Sequence, residues 1–280
     1  MDEENRRYFK YLADEKGYAE NTILAYKADL EQLRHVLASI SSESPTIGGI
    51  TFESLSSYVR WLHRQGYRNS TIARKIAAVR SYLDYLYHHE GIGSPSWLDV
   101  LQPPPSPRRR PKVLTKDEVD NLLTTASRGE TPRAKRDFAV LYLLYATGMR
   151  AAEVIELELE DVDFEGGSIR HPLESRQIKP IGEAIEALRV YLQQGRPHLL
   201  KSPEVQALFL NQRGNRLSRQ GLWLIVKRWA SEAGLDSDIS PQTMRHSITR
   251  HLLDQGQSRR EIQEFLGLSS SNTIWIHRRS

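Results

Sequence analysis

The stretch from Ser240 to His277 reads SPQTMRHSITRHLLDQGQSRREIQEFLGLSSSNTIWIH. It places Arg245-His246 at the opening of an apolar helical repeat, then Leu266-Gly267, a Ser/Asn-rich turn and a short basic end. The pattern predicts an arginine held at the start of a buried helix, close to a second helix. Such an arrangement suits an anion site, because helix N-termini and the fork of a guanidinium both favour phosphate.

Upstream, Thr115-x-x-Glu118 is a capping-box pattern ahead of Val119, Leu122 and Leu123. The run from Phe138 to Tyr145 is too uniformly apolar for a surface helix and predicts a core helix. Thr147-Gly148-Met149-Arg150 then forms a tight turn in which glycine removes the steric barrier to unusual backbone angles. Glu153, three residues after Arg150, is placed to orient it. Asp161 to Phe164, Glu165-Gly166-Gly167 and Ser168 to His171 predict a small β-hairpin. A long helix is expected around residues 183–194, and LFLNQRGNRLSRQGLWLIVKRWASEAGL completes a mostly helical domain.

The first hundred residues also follow helical spacing. Ile23, Tyr26, Leu30, Leu33 and Val36 form one face behind a cap at Asn21-Thr22, and Phe52, Leu55, Tyr58, Val59 and Leu62 form another. After the turn at Gly66 to Asn69, Ser70 is the expected N-cap of a helix whose apolar face is Ile72, Ile76, Val79, Leu83 and Leu86. Arg74, Lys75 and Arg80 are read as lying off that face, where they serve either a solvated surface or contacts to phosphates. Residues 102–112, QPPPSPRRRPK, hold five prolines and four cations, Arg108, Arg109 and Arg110 among them. They predict a stiff basic linker between a domain at 1–101 and a domain at 113–280.

The totals bound the function. A chain of 280 residues with 39% hydrophobic and 26% charged residues has enough apolar surface for two globular domains. No apolar run is long enough for a membrane span, and the charged opening MDEENRRYFKYLADEKG lacks a signal core, so the expected location is the cytoplasm. Zero cysteines exclude disulfides, thiolate zinc sites and cysteine nucleophiles. The net charge of +4 permits nucleic-acid binding without demanding it.

The stretch from Ser240 to His277 resembles the C-terminal signature of the tyrosine recombinases, the family of phage integrases and bacterial Xer proteins. The family pattern runs Pro-His-x-x-Arg-His-Ser, Leu-Gly-His, then Thr-x-x-x-Tyr. Thr-Gly-Met-Arg with Glu three on, the hairpin, Leu-Phe-Leu-Asn and Ser-Arg-Gln-Gly before Trp223 stand in family order too. ENTILAYKADLEQL and NSTIARKIAAVRSYLDYL are similar to the family's core-binding domain. The resemblance covers essentially the whole chain. It implies a mainly α fold: a helical, SAM-like core-binding domain followed by a catalytic domain with a small antiparallel β-sheet. It also implies double-stranded DNA as partner, closed in a C-shaped clamp, with Arg74, Lys75, Arg80 and the linker arginines on its backbone.

In that family, strand transfer proceeds without metal or other cofactor. Two arginines hold the phosphate, a tyrosine attacks it, and a lysine and histidines move protons. Arg150 matches the first arginine and Arg245 the second, although a core arginine paired with an acid would read the same. Counting back from Pro180-Ile181 puts Pro172 at the lysine, and Arg176 or Lys179 could reach inward in its place. Gln242 stands at the first histidine; its amide can bind a phosphate oxygen but cannot exchange a proton near neutral pH. Leu268 stands at the second, and His277 at the tyrosine. His246 is read as a packing histidine.

The expected protein is therefore a DNA-binding relative of the recombinases that has lost strand cleavage and occupies a recombination site alone, with itself or with an active recombinase. The alternatives are an active recombinase using His277 or another nucleophile, and a decayed relic of a mobile element. Only Arg278, Arg279 and Ser280 follow His277, so exchange of a tail helix between subunits is not expected; a truncated product would look the same.

Overall fold

Apolar residues at three- and four-residue spacing become the buried faces of helices, and these gather into two compact units, Met1–Arg108 and Arg109–Ser280. The structure is a computed structural model that describes residues 3–40, 50–105, 111–174 and 176–267.

The first unit holds α1 (Glu3–Asp14), α2 (Glu20–Ile40), α3 (Phe52–Arg64), α4 (Asn69–Glu90) and the short α5 (Trp97–Val100). Its core joins Leu12, Leu33, Leu55, Leu62, Ile76, Val79, Leu83 and Leu86 around Tyr8 and Tyr58. A capping box starts α3: the Thr51 hydroxyl accepts from the Ser54 N–H at 3.2 Å, and Ser54 Oγ accepts from the Thr51 N–H at 3.0 Å. Two expected starts shift. Helix α2 begins ahead of Asn21-Thr22, and α4 has Arg68 as N-cap, so Ser70 lies inside the first turn. The Asn69 amide, which could have capped, instead donates to the Pro105 carbonyl at 3.0 Å.

The second unit is built around α7 (Pro132–Thr147), the core helix that the apolar run predicts. It packs against α6 (Lys116–Ser127), α9 (Ala184–Val190) and α12 (Pro241–Asp254), with α8 (Ala151–Glu156), α10 (Arg196–Leu199), α11 (Arg219–Glu232) and α13 (Arg259–Leu266) completing the helices. Thr115 and Glu118 form the predicted capping box of α6. The helix expected over 183–194 is interrupted: α9 ends at Val190 and passes through a π turn, Tyr191–Gly195, into α10. Gly195 there comes so close to α7 that a Cβ would lie 2.9 Å from the Pro132 carbonyl. The hairpin is also larger than expected. Strands β1 (Val162–Asp163) and β2 (Ser168–Arg170) pair as read, and Gln177–Ile178 adds an antiparallel β3, with Ile169 opposite both Val162 and Ile178. Two residues are too few for an alternating pattern to reveal a strand.

Three polar anchors tie the helices together. Asp137 accepts from the Trp229 indole at 3.0 Å and from Arg136 at 2.6 Å, linking α7 to α11. Ser247 on α12 accepts from the Leu114 N–H at 2.8 Å. His251, one helical turn on, bonds the Leu114 carbonyl through Nε2 at 2.9 Å and the Tyr145 hydroxyl through Nδ1 at 2.8 Å. Because a carbonyl only accepts, Nε2 carries the proton, and the ring is neutral with Nδ1 as acceptor.

Gly148 ends α7 in the left-handed region at φ 60°, and a Cβ there would lie 2.5 Å from Leu266 Cδ2. Gly148→Ala combines a left-handed alanine with overpacking and is expected to lose about 2–3 kcal/mol in urea unfolding; a loss below about 0.5 kcal/mol would contradict the packing at α13. Burial holds the His251 pKa below its usual value, against the pull of the Leu114 carbonyl, and burial and the Arg245 charge do the same to His246. A histidine depressed on folding stabilises fully above its unfolded pKa of about 6.5, and that stability is lost as pH falls through the folded value. The melting temperature is therefore expected to drop on acidification below about pH 6.5, and to drop less in His251→Gln. An unchanged acid sensitivity in His251→Gln would exclude that residue as a source.

Candidate functional site

Arg245 sits in the second turn of α12, whose start is set by Ser240 as N-cap and Pro241 in the first turn. Its side chain is buried, with the residue only 5% exposed. Nη1 donates to the carbonyl of Gly148, the cap of α7, and Nη2 donates to the carbonyl of Leu266, the last residue of α13, at 3.2 Å. Helix C-termini concentrate unpaired carbonyls and partial negative charge, so one cation satisfies two helix ends. Burial, followed by repulsion from Arg150, pushes the guanidinium pKa down to about 10, with Glu153 opposing. It remains a cation at neutral pH.

Arg150 is the N-cap of α8. Its N–H donates to Glu153 Oε2 and its Nη1 to Glu153 Oε1, both at 2.6 Å, so the expected orienting role of Glu153 is made by backbone and side chain together. Glu153 is buried while the Arg150 side chain is 51% exposed. Burial pushes the Glu153 carboxyl up, but the Arg150 hydrogen bonds and the charges of Arg150 and Arg245 outweigh it and leave the pKa lowered. The acid thus stays ionised and holds the guanidinium half open to solvent.

His171, which the sequence reading left out of the site, stands behind Glu153. It is 3% exposed, and its Nδ1 accepts from the Leu173 N–H at 3.2 Å, so Nε2 carries the proton. That Nε2 lies 3.6 Å from Glu153 Oε2 and has no hydrogen-bond partner among the described residues. Strand alternation was the available signal, since Ile169 faces the core and His171 is two residues on.

The remaining expected positions are placed as follows. Pro172 lies in the turn that leaves β2 and offers no donor. Lys179 is exposed, whereas Arg176 turns inward to the Phe265 carbonyl at 3.1 Å. Gln242 is exposed on the first turn of α12, with its amide nitrogen 3.3 Å from His246 Nε2. His246 is half-buried and uncharged at neutral pH, since its lowered pKa lies below 6.5. Leu268, His277, Arg108, Arg109 and Arg110 lie outside the described residues.

In the first unit the three α4 cations differ. Lys75 does not lie off the apolar face: it is 7% exposed, on the buried side of α4 with Ile72, Ile76 and Val79. Its ammonium donates to buried Asp29 at 2.9 Å and lies 5.3 Å from the Tyr67 ring centroid. The reason is a carboxylate on α2 that needs a cation, since an unpaired buried charge is strongly destabilising. Arg74 also donates to Asp29 but keeps its side chain 44% exposed. Arg80 donates through Nη1 to the carbonyls of Leu98 and Leu101, at 2.8 and 3.1 Å.

The second unit therefore gathers the guanidiniums of Arg150, Arg176 and Arg245 with the carboxylates of Glu153 and Glu174, an excess of positive charge with one arginine half open. No group of three or more histidines and acids that could hold a metal is present among the described residues. No described helix is long and apolar enough to cross a membrane.

Comparison with known proteins follows the same outline. Residues 112–280 match the phage integrase family, and residues 6–90 match the N-terminal SAM-like domain of phage integrases. The tyrosine recombinase XerC of Herpetosiphon aurantiacus is 36% identical over 280 residues, covering 99% of this chain and 90% of that protein. The tyrosine recombinase XerD of Halalkalibacterium halodurans is 36% identical over 275 residues, covering 97% and 91%. In fold the chain is similar to the Tn1549 transposon integrase solved in complex with circular intermediate DNA, with a TM-score of 0.74, 18% identity, and coverage of 99% and 95%. With both halves of its sequence matched and its relatives aligned over nearly their full length, the chain belongs to the phage integrase family of tyrosine recombinases.

Proposed function

We propose that this protein binds double-stranded DNA at a recombination site in the cytoplasm and grips a backbone phosphate there without cutting the strand. The observation that carries the reading is a split within one site. The two arginines read as holding the anion are fixed in place, with Arg245 locked on Gly148 and Leu266 and Arg150 braced by Glu153. The positions that exchange protons hold Pro172 and Gln242, which cannot. A guanidinium keeps its proton too tightly to give it to a departing alkoxide, so a site of arginines stabilises phosphate charge without protonating the leaving oxygen. Burial and the neighbouring charge of Arg245 lower the His246 pKa, which disfavours the protonated form an acid would need.

The sequence losses at Leu268 and His277 point the same way, removing a second histidine and the tyrosine nucleophile. A phosphohistidine formed at His277 is the rival, and it leaves a covalent mark. Gln242 is taken as a further DNA contact within the central site, and Arg74 with the linker arginines Arg108, Arg109 and Arg110 as DNA contacts outside it. Lys75 is buried on Asp29, and Arg80 donates Nη1 to two backbone carbonyls, so both are assigned to holding the first unit together. The partner in recombination would be a second copy or an active recombinase.

The test is a nicked suicide duplex taken from the DNA flanking the gene, quenched at neutral pH and run on a denaturing gel. No covalent adduct is expected, together with binding that falls as salt rises. Arg150→Ala is expected to weaken that binding about tenfold and to lower the slope of log K against log salt by about 0.9. An adduct that disappears in His277→Ala would overturn the reading and make the protein a histidine-dependent strand-transfer enzyme.

A further inference from the structure

Arg176 is the group in this site that neither arginine of the family pattern accounts for. It closes the loop between β2 and β3, where its carbonyl accepts from the His171 N–H at 2.9 Å. The backbone is therefore fixed by the sheet, and the side chain is directed from a rigid ladder. Nη1 donates to the Phe265 carbonyl at 3.1 Å, one residue before the Leu266 carbonyl that Arg245 holds at 3.2 Å. The two guanidiniums thus occupy neighbouring carbonyls at the C-terminal end of α13. A Cβ on Gly267 would lie 2.5 Å from Nη2 and 2.6 Å from both Cζ and Nε, so the guanidinium plane lies flat on the glycine that caps α13. Any side chain at position 267 would displace it.

The internal partners leave capacity over. Nε donates to Glu174 at 2.6 Å, but Glu174 is itself 41% exposed and belongs to the same short loop. Nη2 donates to nothing among the described residues, and the Arg176 side chain keeps 22% of its surface in solvent. An exposed carboxylate holds a guanidinium weakly, because water screens the pair. A phosphate offers more acceptor oxygens than Glu174 and matches the planar fork.

Resting on the proposed grip of DNA, we infer that Arg176 is a third phosphate-binding residue, which leaves Glu174 for a backbone phosphate and closes the cradle begun by Arg150 and Arg245. The residue enters the site from the hairpin, the element in which Pro172 occupies the lysine position. It restores the positive charge there and not the proton donor. Arg176 and Arg245 repel one another, and the charge of Arg176 helps push the Arg245 pKa down; the single negative charge of a bound backbone phosphate relieves that repulsion. Glu174 acts as the placeholder that neutralises Arg176 while the site is empty.

The experiment measures dissociation constants of the full chain for a mixed-sequence linear duplex over a range of NaCl concentrations. Arg176→Gln keeps a donor for the Phe265 carbonyl and removes the charge. It is expected to bind about tenfold more weakly at low salt, with the slope of log K against log salt reduced by about 0.9. Arg176→Lys is expected to recover the slope, and Glu174→Gln to tighten binding about threefold, a gain that vanishes when Arg176→Gln is also present. A wild-type slope in Arg176→Gln alongside a reduced slope in Arg150→Ala would overturn the inference and leave the DNA-binding reading standing. An equal gain from Glu174→Gln with and without Arg176 would also overturn it, since the carboxylate would then act on DNA directly. Absence of salt-dependent binding in the wild type would remove the DNA-binding reading itself. Should Arg176→Gln fail to melt cooperatively, Arg176→Lys and Glu174→Gln carry the same comparison on folded protein.

Discussion

The guanidinium of Arg245 bridges the ends of two helices that are far apart in the chain, and the site depends on that bridge. Gly148 closes α7 and Leu266 closes α13, and each presents a carbonyl that its own helix cannot satisfy. Without the cation neither would have a donor among the described residues. Packing reinforces the electrostatics: Ile248, Leu252, Ile262 and Leu266 form a small cluster of their own beneath Tyr145 and Phe265. Gly148 must remain glycine for the two ends to approach, because Leu266 fills the space a Cβ would take. An arginine used this way is a buried structural tie that keeps its charge.

The charges around that tie are arranged in a sequence of dependence. Buried Glu153 stays ionised because Arg150 supplies two hydrogen bonds to it, and it in turn fixes Arg150 with half its guanidinium in solvent. His171 backs the carboxylate with an Nε2 that lies 3.6 Å from it and makes no hydrogen bond among the described residues. The arrangement is suited to fixed donors around an anion, where preorganised charge stabilises without reorganisation.

Family membership rests on a frame that both halves of the chain preserve, and within it the arginines are positioned through long-range contacts. Pro172 lies in a turn and Gln242 on an exposed helical turn, so neither side chain is part of the core.

Local patterns in the sequence were enough for the helical architecture, the core helix α7, the capping box at Thr115 and Glu118, and the turn at Gly148. Each of these is set by neighbours within one or two turns, where periodicity and capping chemistry act. The same patterns misplaced Lys75, because its partner Asp29 lies 46 residues away and only packing of α2 against α4 reveals that a cation must be buried. They left Arg176 undecided between inward and outward, because its acceptor Phe265 is 89 residues distant. They named Arg245 as a site residue but not the reason it is held, a carbonyl 97 residues earlier in the chain. Spacing along a helix states which side chains share a face. Which buried charge needs a partner, and which carbonyl lacks a donor, is decided only when the elements meet.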